Sequence, residues 1–446
     1  MVPAVRLTPE RRSPDIACRT SIACRTSNRA PDIEGRETAR GPRATAGRPG
    51  FSRRGMSSML RLDQLGPLPE FMTGGSTAPL AEVRSPTGDR MWLVRDYRLA
   101  RLVLSDRRFS RAAAVAPGAP QLNSAAPAPS SIMSMDGADH GRLRRIVAAA
   151  FSTGRAAAMA PLVDRTATEL LAGMSRRGAP VDLMTCFAEP LPVAVLGTLL
   201  GVPVEDRPVF DSAVEVLFDI TASSDQEKAR KRVQLVGYMS ALIDRKRQHE
   251  DDDLLTALIR AHDGDALSGA ELLSLGLALL TAGYETTVGQ ISLSALAVLR
   301  GAVPREILKN ESKVDALVEE MLRTTPSTSV SFPRVAVEDV ELGGITVRAG
   351  EAVVVSLLHG NRDGRIFADP DHLRDDRTAA HLTFGHGVHR CLGAPLARLQ
   401  VRIALTRLFE FFPALRISEG GPAAAPSVVW KDGLITRGLS SLRVSW

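Results

Sequence analysis

A glycine-rich stretch of twelve residues, FGHGVHRCLGAP from Phe384 to Pro395, constrains this chain more than any other segment. Its cysteine, Cys391, comes just before a helical pattern of apolar residues at Leu396, Leu399 and Ile403. A thiolate is favoured where backbone N–H groups converge with the positive end of a helix dipole. Glycines in the stretch let the backbone adopt positive φ and approach a flat ligand. The stretch therefore indicates a loop that holds a metal-bound thiolate.

Three other roles are open to Cys391. A zinc site with His381, His386 and His389 is one, but the paired ligand spacing of structural zinc sites is missing. An inert buried thiol is the default for a lone cysteine, and the flanking glycines and histidine argue against it. Nucleophilic catalysis by a Cys–His pair needs the two side chains to meet in line, which residues two apart on a tight loop need not do.

The stretch resembles the haem loop of the cytochrome P450 family, the haem-thiolate monooxygenases, in which the matching cysteine is the proximal iron ligand. The resemblance implies that Cys391 binds the iron of haem b and that Phe384 packs near the thiolate. It also implies that His389 hydrogen-bonds a haem propionate, and that Gly393 lets the backbone come close to the cofactor.

A second motif, AGYETT from Ala282 to Thr287, ends an apolar run that begins at Leu272. Glycine in a helix interior costs about 1 kcal/mol relative to alanine, and a threonine hydroxyl can bond back to a carbonyl and open the helix locally. A packing Gly283 beside a solvent-exposed Glu285 is the alternative. The family resemblance implies that Glu285 and Thr286 deliver protons to bound dioxygen, with Ala282 and Gly283 beside the cofactor.

Glu320 and Arg323 form an E-x-x-R pattern on an amphipathic helical stretch, and Arg377 follows in PDHLRDDR. Alone the pattern is weak, because an i,i+3 ion pair on a surface helix contributes only ~0.2–0.5 kcal/mol. The order of these motifs along the chain matches the family. The resemblance implies a buried charge network that stabilises the haem side of the fold.

Basic residues elsewhere could bind the carboxylates of haem. His140 and Arg144 are four residues apart and share a helix face, and propionates need charge-assisted partners. Each basic residue taken alone would be read as a solvated surface charge. The resemblance assigns His140, Arg144 and Arg334 to the propionates. By placement, a further set could form a positive patch for an acidic electron-transfer partner: Arg142, Arg145, Arg390 and Arg398.

The chain has an unusual N-terminal segment. Residues 1–55 hold twelve Arg against five acidic residues, a charge of +7, so the total of +6 leaves −1 for the remainder. We expect residues 1–55 to be a disordered basic extension, with Met56 or Met59 as the real start. The charge of the remainder gives no support for nucleic-acid binding. No disulfide framework is readable from the four cysteines.

The family resemblance implies a mainly α fold, a single large cytochrome P450-type haem domain over residues 56–446 with a minor β-sheet region. Hairpins are expected at Ala81–Val94 and Val340–Val347, and a buried strand at Val353–Leu357. No apolar run reaches the ~18 residues of a membrane-spanning helix. Substrate contacts are expected from four segments: 112–131, 275–282, 326–330 and 433–435.

Together with the family resemblance, these features predict a soluble, cytoplasmic, monomeric bacterial monooxygenase. The family resemblance implies insertion of one oxygen atom from O2, by hydroxylation or epoxidation, into an apolar small molecule such as a polyketide or macrolide. It implies electron supply by a ferredoxin with its reductase, or by a flavodoxin. The alternatives are a haem-dependent oxidative coupling enzyme and a non-catalytic haem sensor or carrier. The Glu285–Thr286 pair favours catalysis, because a carrier has no use for it.

Overall fold

The computed structural model describes residues 68–73, 77–122, 128–206, 225–418, 426–433 and 435–446. The basic extension 1–55 and both candidate start positions, Met56 and Met59, lie outside the described residues. The predicted domain boundary between residues 55 and 56 therefore stays a prediction.

Helices dominate the described residues, as the sequence predicts. Their bounds are α1 (Glu70–Thr73), α2 (Tyr97–Ser105), α3 (Gly137–Ala148), α4 (Thr153–Ala158), α5 (Ala160–Arg177), α6 (Pro190–Leu200), α7 (Asp225–Gln248), α8 (Leu254–Asp263), α9 (Gly269–Leu299), α10 (Glu311–Thr324), α11 (Leu357–Gly360) and α12 (Ala394–Phe411). The helix predicted after Cys391 is α12, which has Pro395 in its first turn. Proline fits there because its missing N–H would have no partner within the helix.

Within the described ranges, the strands are short and lie in three small sheets. Their bounds are β1 (Leu80–Arg84), β2 (Arg90–Val94), β3 (Phe109–Ser110), β4 (Val181–Asp182), β5 (Arg334–Ala336), β6 (Val340–Leu342), β7 (Ile345–Val347), β8 (Ala352–Val355), β9 (Arg416–Ile417), β10 (Val428–Trp430) and β11 (Leu439–Ser445). The largest sheet has the order β1-β2-β8-β5-β3, in which only β2 and β8 run parallel. A second sheet has β11 between β10 and β4, with β9 also paired to β11, and the third is the β6–β7 hairpin.

Both predicted hairpins form. The first is β1–β2, and the second is β6–β7, where Gly343 and Gly344 adopt φ of 61° and 84°. Glycine is the residue that adopts such angles without steric penalty. The predicted strand 353–357 is wrong at its end, because β8 stops at Val355. Ser356 then caps α11 by accepting a hydrogen bond from the backbone N–H of His359.

Helix α9 runs through the large apolar core. A capping box at Ser268 and Glu271 starts it, and it packs against α6, α7 and α12. It is long and apolar enough for a membrane span, with a mean hydropathy of 1.2 in an 18-residue window, but 56% of that window is buried inside the protein. Its buried residues join one large apolar core with those of α5, α6 and α12. We therefore read α9 as a core helix.

The Ala- and Pro-rich segment 112–131 follows β3. Within its described residues, it contains a short 3-10 turn at Ala113–Val115 and ends at Ser131, which caps another at Ile132–Ser134. Residues 123–127 lie outside the described part of the chain. The segment thus connects the large sheet to α3, on which His140 and Arg144 lie.

Candidate active site

The loop that carries Cys391 is closed by its own backbone. The N–H of Cys391 donates to the carbonyl of Phe384 at 2.8 Å. Gly385 and Gly387 have φ of 69° and 72°, the left-handed region that favours glycine. At Gly387 an added Cβ would lie 2.5 Å from the carbonyl oxygen of Leu104, so only glycine allows this close approach to the end of α2.

The Cys391 side chain is accessible, although many protein atoms surround its thiol. Cys391 has accessible surface, yet burial raises the pKa of its thiol, against the effect of backbone N–H groups at Gly393 and Ala394. Both observations fit a thiol that opens into an internal cleft. The sequence predicts those N–H groups but not the burial of the thiol. A bound metal cation supplies the positive charge that keeps such a thiol deprotonated.

A group of buried basic side chains lies beside this loop. His140 is 3% exposed, and its ring centroid is 4.1 Å from that of His389. Burial, and then the nearby His389 and Arg144, lower the pKa of His140 to about 4, so its ring is neutral at pH 7. Arg144 donates to the carbonyl of Arg390. The shared face of α3 therefore meets the Cys391 loop at two points.

Asp136 is the carboxylate of this group. Its side chain accepts from the Ser110 hydroxyl at 2.6 Å and the Ala112 N–H at 2.9 Å. His389 Nε2 lies 3.5 Å from Asp136 Oδ1. Burial acts to raise the pKa of Asp136, but the hydrogen bonds from His389, Ser110 and the backbone outweigh it and lower that pKa. Asp136 was not among the residues predicted from the sequence.

Two arginines complete the group, Arg334 as predicted and Arg111, which the sequence analysis missed. Both are buried, at 4% and 3% exposure. The antiparallel pairing of β3 with β5 puts Ser110 opposite Val335, which brings Arg111 close to Arg334. Arg111 donates to the carbonyls of Met133 and Pro333. Burial lowers the pKa of both guanidinium groups, which remain charged near neutral pH.

This cluster fits a flat cofactor with carboxylate groups and a thiolate-bound metal. Among the described residues, the contact of the buried His389 Nε2 with Asp136 Oδ1 is long, at 3.5 Å, and makes at best a weak hydrogen bond. Arg334 is equally buried, and the hydrogen bond recorded for its guanidinium is a long one of 3.4 Å to the carbonyl of Leu104. Buried charges and polar atoms normally have partners. The two propionates of haem would provide them, and the Cys391 thiol would be the metal ligand.

The AGYETT motif lies within α9. The Thr286 hydroxyl donates to the carbonyl of Ala282 at 2.8 Å, so the back-bonding that the sequence suggested is present. Glu285 is 1% exposed and accepts from Lys431 Nζ at 3.0 and 3.1 Å. At Gly283 an added Cβ would lie 3.0 Å from a Leu196 methyl. Gly283 therefore lets α6 pack closely, whereas a solvent-exposed Glu285 is excluded.

The structure brings Glu320, Arg323 and Arg377 together. The Glu320 carboxylate accepts from Arg323 at 2.7 and 2.8 Å, from Arg377 at 2.9 Å, and from the backbone N–H of Arg374 at 3.0 Å. Arg323 also donates to the carbonyls of Asn361, Pro370 and His372. Glu320 and Arg323 are 4% and 1% exposed. This set of hydrogen bonds ties α10 to the segment that precedes the Cys391 loop.

The predicted positive patch is wrong for two of its four members. Arg142 forms an ion pair with Glu271, and Arg398 forms one with Glu319. The Arg398 guanidinium also lies 4.6 Å from the Phe384 ring centroid. Arg145 donates to the carbonyl of Gly141 within its own helix. The acidic partners come from other helices, α9 and α10, which the sequence pattern around the arginines does not reveal.

Comparison with known proteins decides the family. A sequence model described as Cytochrome P450 matches residues 308–425. Mycinamicin IV hydroxylase/epoxidase of Micromonospora griseorubida is 41% identical over 83% of this chain and 93% of its own length. Nocardicin C N-oxygenase of Nocardia uniformis subsp. tsuyamanensis is 40% identical over 82% of this chain and 92% of its own. The chain belongs to the cytochrome P450 family.

Solved P450 structures have the same architecture. The structure of HinD with NMFT and NO has a TM-score of 0.77 and 40% identity, over 82% of this chain and 93% of that one. As a P450, the protein is a monooxygenase with a haem-thiolate cofactor, a redox partner and a small-molecule substrate. Its mainly α fold is the P450 fold.

Proposed function

We propose that this P450 uses haem b to insert one oxygen atom from O2 into an apolar small molecule of bacterial secondary metabolism, such as a macrolide or another polyketide. The observation that carries the proposal is the 41% identity, over 93% of its length, to a mycinamicin IV hydroxylase/epoxidase. Glu285, a buried acid next to Thr286, supports catalysis over a carrier or sensor role. Burial of a carboxylate in a core helix costs free energy, and a carrier has no use for that carboxylate.

In this proposal the chain holds the cofactor by two kinds of contact. The Cys391 thiolate is the iron ligand, with Phe384 packed beside it and Gly393 leaving room next to the sulfur. The propionates bind to His140, Arg144, Arg334 and His389. Support comes from the buried, incompletely paired guanidinium of Arg334 and from the buried His389 nitrogen, whose contact with Asp136 is long, at 3.5 Å.

The proton path is assigned to α9, with Ala282 and Gly283 beside the cofactor. Bound haem supplies the iron centre at which dioxygen is reduced with two electrons. Thr286 presents a hydroxyl on the partly exposed side of the helix, and Glu285 holds a carboxylate on the buried side. Proton transfer by positioned groups of this kind contributes roughly 10²–10⁴-fold to a reaction rate.

We assign electron supply to a ferredoxin with its reductase, or to a flavodoxin, and propose a cytoplasmic monomer. The surface near Cys391 carries Arg390 and the 62% exposed Val388, a basic and apolar combination that suits a small acidic partner. Residues 56–446 are proposed to form the haem domain, and residues 1–55 a dispensable extension. The net charge of −1 from residue 56 onward does not favour nucleic-acid binding.

Labelled oxygen tests the proposal. The purified protein, with a ferredoxin, its reductase and NADPH, should convert mycinamicin IV or another macrolide in a substrate panel to a product that contains one ¹⁸O atom from ¹⁸O2. NADPH-dependent products without label would contradict oxygen insertion. A panel without any NADPH-dependent product would contradict the proposed substrate class.

Oxidative coupling is the second candidate, and one comparison favours it. The cytochrome P450mel 107F1 with biaryl coupling reactivity has a TM-score of 0.78 and 33% identity to this chain. A coupling enzyme joins two aromatic rings and retains no oxygen from O2 in the new bond. Phenolic substrates in the same assay, analysed for unlabelled dimers, separate the two reactions.

A further inference from the structure

Glu285 does not stand alone in the core. Lys431 Nζ lies 3.0 Å from one carboxylate oxygen of Glu285 and 3.1 Å from the other, so one ammonium group contacts both. The side chains are only 9% and 2% exposed, respectively. Lys431 follows β10 and lies 146 positions after Glu285, on the hairpin formed by β10 and β11. No sequence motif considered above includes this lysine.

The hairpin is fixed against α9 by contacts that leave no room for side chains. A Cβ at Gly289, one helical turn after Glu285, would lie 2.4 Å from the Arg437 carbonyl oxygen. A Cβ at Gly438 would lie 3.2 Å from Gly289 Cα. The N–H of Lys431 donates to the carbonyl of Gly438. The backbone that carries Lys431 is therefore held in one position relative to Glu285.

The carboxylate and the Thr286 hydroxyl point in different directions. Adjacent residues in an α-helix are ~100° apart around its axis. Glu285 is buried against the hairpin, whereas Thr286 is partly exposed and bonds the Ala282 carbonyl. Lys431 thus holds the acid about 100° around the axis of α9 from the Thr286 hydroxyl.

We propose that Lys431 is a positioning residue for proton delivery: its ammonium keeps Glu285 ionised and fixes the carboxylate against the C-terminal hairpin. The inference rests on the proposed function, which gives Glu285 its role.

Removing the ammonium group should change the ionisation of Glu285. A buried carboxylate that loses an ammonium partner is disfavoured in its charged form, so the group takes up a proton more readily. Lys431→Met keeps the length of the side chain and removes its charge. Lys431→Arg keeps the charge. Lys309, which is exposed at the end of a 3-10 turn, offers the matched control Lys309→Met.

Infrared spectroscopy of the full-length, haem-loaded protein labelled with ¹³C-glutamate tests the proposal. Lys431→Met should gain one protonated carboxyl band that shifts in D2O and is missing from wild type, Lys431→Arg and Lys309→Met. The double variant Lys431→Met/Glu285→Gln should lose that band. If Lys431→Met loads too little haem, Lys431→Gln serves in its place, with the same bands expected.

Two results would overturn the proposal. One is a wild-type spectrum that already contains a protonated band assigned to Glu285, and the other is a Lys431→Met spectrum without a new band. The bands are read without substrate, so they report on the pair whether or not the protein oxidises any compound. Normal product yield in Glu285→Gln would instead contradict the catalytic role of Glu285 and leave the pairing intact.

Discussion

Substitution of Glu320 by Gln tests whether the charge network sets the stability of the fold. Gln keeps the size of the side chain and removes its charge, which leaves the 1% exposed Arg323 without a carboxylate. Breaking a buried pair in this way costs ~3–5 kcal/mol. For the roughly 390 residues from Met56 onward, an unfolding entropy of ~2.1 cal/mol/K per residue gives about 0.8 kcal/mol/K. The expected drop in Tm is therefore about 4–6 °C.

Calorimetry of the haem-loaded protein measures this drop, and Arg374→Ala is the matched control. Arg374 contacts Glu320 through its backbone N–H, which the control keeps, while its side chain pairs with Asp376 at the surface. Surface pairs contribute ~0–1 kcal/mol, so the control should lose about 1 °C at most. Equal melting of Glu320→Gln and Arg374→Ala would refute the assignment of stability to this network.

The Tm values of the wild type and of Glu320→Gln should depend differently on pH. Burial opposes ionisation of Glu320, but hydrogen bonds from Arg323 and Arg377 lower the pKa of its carboxyl below the ordinary value. A lowered pKa means that the stabilisation is present at neutral pH and is lost as the pH falls through the acid range. The Tm of wild type should therefore fall more steeply with acidification than that of Glu320→Gln.

Three further outcomes are expected. Cys391→Ser should abolish the strongly red-shifted ferrous CO band of thiolate ligation, and a retained band would disprove this ligand assignment. Thr286→Ala should keep the haem spectrum but lower the product formed per NADPH consumed by about tenfold or more, in line with acid catalysis worth ~10²-fold or more. Thr287→Ala, at a buried neighbour, is the control. Full coupling of NADPH consumption to product in Thr286→Ala would contradict proton delivery by Thr286. A protein that begins at Met56 should match the full chain in haem content and turnover, and a deficit would show that residues 1–55 matter.

Local patterns in the sequence predicted much of the fold and of the candidate site. The Cys391 loop, both hairpins and the Thr286 back-bond depend on residues within a few positions of each other, where propensity and spacing act directly. The family resemblance added the expectation that Glu320, Arg323 and Arg377 meet, and the structure brings them together.

Contacts between distant segments were not predictable in the same way. The pairing of Glu285 with Lys431 spans 146 positions, and the approach of Arg111 to Arg334 depends on the register of β3 and β5. The positive patch failed for the same reason, since Glu271 and Glu319 neutralise Arg142 and Arg398 from other elements. A single sequence gives the charge of a residue but not its partner across the fold.

The contact between Gly289 and Gly438 limits how this protein can be recombined with its homologues. A side chain at Gly289 would push the hairpin from α9, because its Cβ would lie 2.4 Å from the Arg437 carbonyl oxygen, whereas a Cβ at Gly438 would lie 3.2 Å from Gly289 Cα and needs a smaller shift. A chimera that takes its C-terminal hairpin from a relative therefore needs glycine at position 289, or the matching stretch of α9 from the same parent. Exchange points between Leu299 and Val428 separate the two segments and should give less stable chimeras wherever the parent of α9 lacks this glycine.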